Sequence, residues 1–258
     1  MLQTIRDIVA YRTLLGALVA RDLKVRYKRS VLGVLWTMLN PLLMMIVFTI
    51  VFSTVFRFSV EDFAIYFLSA FLLWNFVAQT TAWSTACLLG YAPLIRKIYV
   101  PKEVFILATV LSGLVNLLIS LAPLALIMLV VRHPLRATVV VLPASIGLTL
   151  MFALGVSFLL AGICIEFNDV VQIYQALLVA WMYLTPVVYP LDVVPAEYRW
   201  LVLANPMYYF VTVFRDPLYG GIMPQGRDFL IAAIWGTVML FGGWWVFRRR
   251  ADRIAYLV

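Results

Sequence analysis

The sequence predicts an all-α integral membrane protein: six transmembrane helices, an N-terminal interfacial amphipathic helix, and a partly membrane-embedded extracytoplasmic helical hairpin. Three observations predict it. The 258 residues are 65% hydrophobic and 12% charged, against about 45–50% and about 25% in soluble domains. The apolar residues gather into runs near the ~20 that a helix needs to cross about 30 Å of hydrocarbon. The cations crowd the short segments beside those runs, chiefly on one side. A net charge of +8 is therefore accounted for by membrane topology first, and no nucleic-acid partner is expected.

The elements follow in order. In residues 1–29, Ile5, Ile8, Val9, Leu15, Leu18 and Val19 fall near helical spacing, interrupted by Arg6, Arg12 and Arg21. That pattern predicts a helix lying in the interface, its cations available to anionic headgroups; the alternative is a basic tail without regular structure. Arg21, Lys24, Arg26, Lys28 and Arg29 then give way to an apolar run reaching Phe56, the mark of the cytoplasmic mouth of a transmembrane helix. Ser30 has the hydroxyl to cap that helix. Asn40 and Pro41 lie inside it, where Pro removes a backbone donor and favours a kink.

Six spans are predicted, at Val34–Phe56, Phe63–Leu88, Val104–Val131, Val139–Ile165, Val170–Tyr189 and Phe229–Phe247. The fourth carries a ladder of small residues, Ala153, Ser157 and Ala161, suited to close helix approach. All belong to a single transmembrane domain of residues 1–258, ending in a tail at 248–258. Lys and Arg number seven before the first span, three in the second connection and four after the last span. The alternate connections hold one, two and three. The bias puts both termini in the cytoplasm of a multi-pass protein.

The longest connection, 190–228, has two apolar arms, Leu201–Ala204 and Tyr208–Phe214, parted by Asn205-Pro206. Each arm is too short to span, so a helical hairpin dipping in from outside is expected, with a surface amphipathic hairpin as the alternative. Asn205, Pro206 and Tyr208 are its candidate gate residues.

Catalytic and nucleotide motifs are missing from the sequence: there is no phosphate-binding loop, nucleophile elbow or His-Glu-x-x-His. His133 sits beside Pro134 without a second ligand nearby in sequence, and Cys87 and Cys164 end apolar runs as packing residues. No metal site and no enzymatic activity are expected. Glu166 and Asp169 read as polar helix ends, and Gln172 and Gln175 either line a path or bond neighbouring helices. Aromatics carry more signal. Trp36, Phe48, Phe52 and Phe56 run up the first span, and Trp181 and Tyr183 lie near the end of the fifth. Interface anchoring and helix packing explain many such rings. Those six are the candidates for lining a substrate path, since a ring offers an apolar face and, in Trp and Tyr, a polar tip.

Three motifs carry a family resemblance. Arg26, Tyr27, Lys28, Ser30, Leu32, Gly33, Trp36 and Pro41 form the first; Leu94 to Glu103, L-I-R-K-I-Y-V-P-K-E, the second; Thr185 to Pro190, T-P-V-V-Y-P, followed by Asn205-Pro206, the third. In order and spacing the chain resembles type-2 ABC export permeases of the branch that moves O-antigen, capsule and teichoic acid polymers. The resemblance implies a permease half pairing with a second copy of itself and with two separate ATP-binding subunits, in the bacterial cytoplasmic membrane. It implies a lipid-linked polysaccharide as substrate. No cofactor is implied in this chain, ATP and Mg²⁺ being bound by the partner. Within Leu89–Lys102 the residues Tyr91, Leu94, Ile95, Arg96 and Lys97 suit a small protein interface, and are the candidate contacts to the ATPase. A drug or lipid permease of the same type is the nearest alternative, and a channel or membrane scaffold the alternative of another class.

Overall fold

In the computed structural model the described residues are 10–52, 60–95, 97, 100–167 and 169–257, with side chains described as far as Arg250. The apolar runs become helices: α1 (Arg12–Arg26), α2 (Trp36–Ile50), α3 (Phe63–Gly90), α4 (Ala92–Ile95), α5 (Glu103–Val131), α6 (Leu142–Cys164), α7 (Asp169–Leu184), α8 (Arg199–Leu203), α9 (Pro206–Arg215) and α10 (Gly226–Leu257). No strand occurs among the described residues. Ser30 accepts a hydrogen bond from the Gly33 N–H at 3.1 Å, capping the turn that opens α2, and Gly33 holds a positive φ of 51°.

Among the described residues, five segments are long and apolar enough to cross a membrane: Gly33–Ile50, Phe63–Gly90, Glu103–Val131, Ala137–Cys164 and Gly226–Arg250. The expected fifth span is the exception. Its helix, α7, has 16 residues, short of the ~20 that a crossing needs. It stops because Pro186 disfavours helical backbone at the residue before it. The outer end of the first expected span, with Phe56 and Arg57, lies outside the described residues, as do Ile5, Arg6, Ile8 and Val9. At the other end of the chain the expected tail is the continuation of α10, which runs unbroken through Arg248–Arg250 to Leu257.

The bundle is built around α3. It is buried over most of its surface, as a surrounded helix is, and Ile65, Phe67, Leu68, Leu73 and Val77 are fully buried. Helices α2, α5, α6, α7 and α9 pack round it. On one flank α6 meets α10 backbone to backbone. A Cβ on Gly155 would fall on the backbone of Met239 and Leu240, and one on Gly243 on the Gly155 carbonyl. Gly162 faces Phe247 in the same way. The expected ladder Ala153, Ser157 and Ala161 is buried too. Its helical register places it on the opposite side of α6 from that seam.

The irregular stretch after α7 is tied down by side chains from elsewhere. Arg215 donates to the Pro186 carbonyl at 2.9 Å, and its guanidinium lies 4.2 Å over the Tyr66 ring. Tyr66 donates to the Tyr189 carbonyl at 3.0 Å. Non-helical backbone at membrane depth requires such partners. Nearby, His133 joins three elements: one ring nitrogen lies 3.0 Å from an Asp62 carboxylate oxygen at the start of α3, and the other 3.0 Å from the Tyr219 carbonyl.

Candidate functional site

Three helices leave a polar cleft between them. From α2 come Trp36, Thr37, Asn40 and Pro41, from α3 Asn75, Gln79, Thr80 and Trp83, and from α5 Gly113, Asn116 and Ser120; Tyr27, just past α1, closes one end. Helical geometry makes the grouping, since Asn75, Gln79 and Trp83 recur at i, i+4, i+8 and Asn116 and Ser120 at i, i+4. The cavity holds about 220 Å³. It has no Lys, Arg, Asp or Glu in its lining.

Several of these groups hold one another in place. Gln79 Nε2 donates to Asn75 Oδ1 at 2.8 Å, and the Tyr27 hydroxyl to Asn116 Oδ1 at 3.2 Å. Pro41 has no N–H for the Thr37 carbonyl four residues back. The Ser120 hydroxyl takes that role from α5, 2.9 Å from the Thr37 oxygen and 2.8 Å from its own Asn116 carbonyl. The Thr80 hydroxyl is fully buried and without a hydrogen-bond partner among the described residues.

Trp83 forms a wall between this cleft and a second cavity of about 360 Å³ lined by Arg21, Asp22, Arg26 and Tyr91. The Arg26 guanidinium stacks 3.2 Å from the Trp83 ring centre. Burial pulls its pKa below the ordinary arginine value. Tyr91 donates to the Asp22 carboxylate and lies under Arg21, whose guanidinium is 4.7 Å from the ring centre. Burial, and then the bond to Asp22, raise the Tyr91 phenol well above its usual range, so it stays a donor. These contacts fasten α1 to the end of α3.

The residues singled out from the sequence fall in different places. Trp36 lines the cleft and is 46% exposed. Phe48 and Phe52 stack into a ladder with α3: ring centres are 5.0 Å apart for Phe48 and Phe67, and 5.9 Å for Phe52 and Phe63. Trp181 turns inward, donating to Asn205 Oδ1 at 2.8 Å and meeting Trp74 edge-on at 5.6 Å. Tyr183 faces outward, and Phe56 lies outside the described residues. The five described rings thus have different surroundings within this one copy.

Of the other candidates, Tyr91 is buried, Leu94 and Ile95 are half-buried, Lys97 is exposed, and Arg96 lies outside the described residues. Asn205 is a junction. Its amide also donates to the Leu184 carbonyl and to Thr185 Oγ1, and its oxygen caps α9 by accepting from Met207 N–H at 3.0 Å. Pro206 follows as the first residue of α9, and Tyr208 meets Tyr209 edge-on at 5.1 Å. Asn75, Gln79, Thr80, Trp83, Gly113, Asn116 and Ser120 do not stand out in the sequence. Polar side chains recurring at helical period inside apolar spans were the available signal.

A bundle of long apolar helices around an uncharged polar cleft has the build of a transport subunit. The chain belongs to the ABC-2 type transporter family, whose match spans residues 13–219. It is similar, at 30% identity over 257 residues and 99% of each chain, to the O-antigen export system permease protein RfbA of Myxococcus xanthus. A protein of the same name from Klebsiella pneumoniae is 26% identical over 211 residues, 81% of this chain and 82% of that one. The polysialic acid transport protein KpsM of Escherichia coli is 19% identical over 244 residues, 92% of this chain and 93% of that one.

Proposed function

We propose that this chain is the permease subunit of an ABC exporter that moves a lipid-linked polysaccharide of O-antigen type outward across the bacterial cytoplasmic membrane. The observation that carries the reading is end-to-end similarity to an O-antigen export permease, 99% of each chain. The working unit is a homodimer with two ATP-binding subunits, which hold ATP and Mg²⁺. Each copy crosses the membrane six times with both termini cytoplasmic, α7 and the turn after it making the short fifth crossing. The α8–α9 hairpin dips in from outside and gates the exit at Asn205, Pro206 and Tyr208.

The exposure pattern supports a paired arrangement. On α7 the side chains of Gln172 and Gln175 are exposed. Amides are costly against lipid tails and acceptable against a water-filled path or another helix. On α2 Pro41 is the buried residue among those described, and Trp36, Leu43, Val47 and Ile50 are exposed. The faces of α2 and α7 therefore suit the boundary between two copies, with the polymer passing there. A polymer that slides needs contacts weak enough to release and repeated along the route. At the other end, α4 with Leu94, Ile95 and Lys97 receives the ATPase, and Tyr91 passes the motion to α1 through Asp22.

Two measurements test this together. Deleting the gene abolishes surface polysaccharide while lipid-linked polymer accumulates inside, and the tagged chain purifies with an ATP-binding subunit. Normal surface polymer in the deletion strain overturns the reading.

A further inference from the structure

We propose that the cleft between α2, α3 and α5 is a binding site for a single sugar ring, placed within one copy of the chain. The proposal rests on the exporter reading only for the source of that sugar, a unit of the transported polymer.

Chemistry selects the ligand class. Polar groups inside a membrane bundle are costly unless partnered, and this cleft gathers Asn40, Asn75, Gln79 and Asn116 around one space. The Gln79–Asn75 and Tyr27–Asn116 bonds each use only part of an amide's capacity, which is two donors and one oxygen acceptor. The rest of that capacity is what a ring of hydroxyls, each both donor and acceptor, would match. Thr80, whose hydroxyl is wholly buried and without a partner among the described residues, belongs to the same lining. Trp36 and Trp83 supply flat apolar faces beside these amides, the combination that suits a pyranose.

The neighbouring cavities sharpen the choice. Behind Trp83 the space is lined by Arg21, Arg26 and Asp22, and so is ionic. A third, between α2 and α5, is lined by Leu35, Met38, Leu39, Leu42, Pro123 and Leu126, and so is apolar. An anion would favour the first and an acyl chain the second. The cleft is the one of the three that is polar and carries no formal charge. Its volume of about 220 Å³ suits one ring rather than an oligosaccharide or a drug-sized ligand, whose sites run from about 300 to 1,000 Å³.

The test uses the full chain in lipid nanodiscs free of glycoside detergent. Saturation-transfer NMR is recorded with methyl glycosides of glucose, galactose, mannose and rhamnose, and with glycerol as the hydroxyl-bearing control lacking a ring. Transfer to at least one glycoside and none to glycerol is expected. Thr80→Val, Gln79→Met and Trp83→Leu each weaken that binding about tenfold, the worth of one well-made contact. Leu126→Ala, in the apolar cavity, leaves it unchanged. Thr80→Val is the decisive variant, because it keeps the side-chain shape and removes an unpartnered hydroxyl: a structural role predicts equal or higher thermal stability with unchanged binding. No glycoside binding, or equal binding to glycerol, or variants that melt and bind like the parent, overturns the site. Those outcomes leave the exporter reading intact if the deletion strain loses surface polymer. Conversely, normal surface polymer in that strain removes the exporter reading, and the glycoside titration still decides the site.

Discussion

The seam between α6 and α10 and the cleft between α2, α3 and α5 solve the same problem in opposite ways. Both join helices inside a membrane, where lipid tails are as apolar as leucine and association depends on packing and hydrogen bonds rather than on water exclusion. In the seam, Gly155 and Gly243 let two backbones touch, and Gly162 and Gly236 extend the contact. In the cleft, amides and indoles line a space, with Gln79 bonded to Asn75 on its own helix and Tyr27 to Asn116. Close packing thus fixes one flank of the bundle while the other keeps a space whose walls are held in position. The contrast predicts where substitution harms folding and where it harms binding.

The largest effect belongs to the seam. Gly155→Leu places a side chain where the Met239 and Leu240 backbone already stands, and neither can rotate away. Overpacking of this kind costs about 3 kcal/mol or more. We expect little folded protein by size-exclusion chromatography, and a monodisperse variant with parental melting would show that the seam is less rigid than its geometry. Gly113→Ala is the matched change in the cleft. Its Cβ meets the Thr80 hydroxyl, a side-chain atom that rotation can move, so about 1–2 kcal/mol is expected. Adding Thr80→Ala should restore most of that loss in a double-mutant cycle. The same rescue is not open to Gly155, whose obstacle is backbone.

The seam and the spans differ from the cleft also in how far the sequence revealed them. Runs such as Glu103–Val131 were legible because hydropathy is local and cumulative. The small-residue signal in α6 was legible on one face, and the glycine seam lies on the other. Ala153, Ser157 and Ala161 are buried, yet the closest approach falls at Gly155, two residues from each of the first two. Periodicity names a stripe but not its partner. The shortness of α7 was hidden because the groups that stabilise its unwound end, Arg215, Tyr66 and Asn205, lie far away in sequence. The cleft was hidden for the same reason at larger scale. Asn75, Gln79, Asn116 and Ser120 are unremarkable in isolation, and only the register of three helices brings them together. Tyr91 shows the converse. Its setting among Leu94, Ile95 and Lys97 suggested an outward-facing contact, whereas Asp22, 69 positions away, holds it inside.

A smaller effect is expected at the rim. Tyr27→Phe leaves Asn116 Oδ1 without the phenol that donates to it, and intramembrane hydrogen bonds are worth about 0.6–1.7 kcal/mol. Melting should drop by that modest amount, and the lost Tyr27–Asn116 tie should loosen the cleft at its α1 end. A parental melting temperature would mean that another group takes over the amide.

The smallest effect separates the cleft from dry helix packing most cleanly. Two hydroxyls, Ser157 Oγ in the tight packing of α6 and Thr80 Oγ1 in the cleft, are fully buried without partners among the described residues. An unsatisfied buried polar group costs about 1–3 kcal/mol, so removing either should relieve the fold. Ser157→Ala loses an oxygen from a dry contact, and thermal stability should hold or rise by up to about 1 kcal/mol, with glycoside binding and surface polymer unchanged. Thr80→Val should move melting in the same direction while binding weakens. The two variants then agree in stability and part in ligand response, an outcome that packing alone does not produce because both oxygens are equally buried. If both variants melt and bind alike, Thr80 is a packing residue as Ser157 is, and the cleft wall is packing rather than a binding surface.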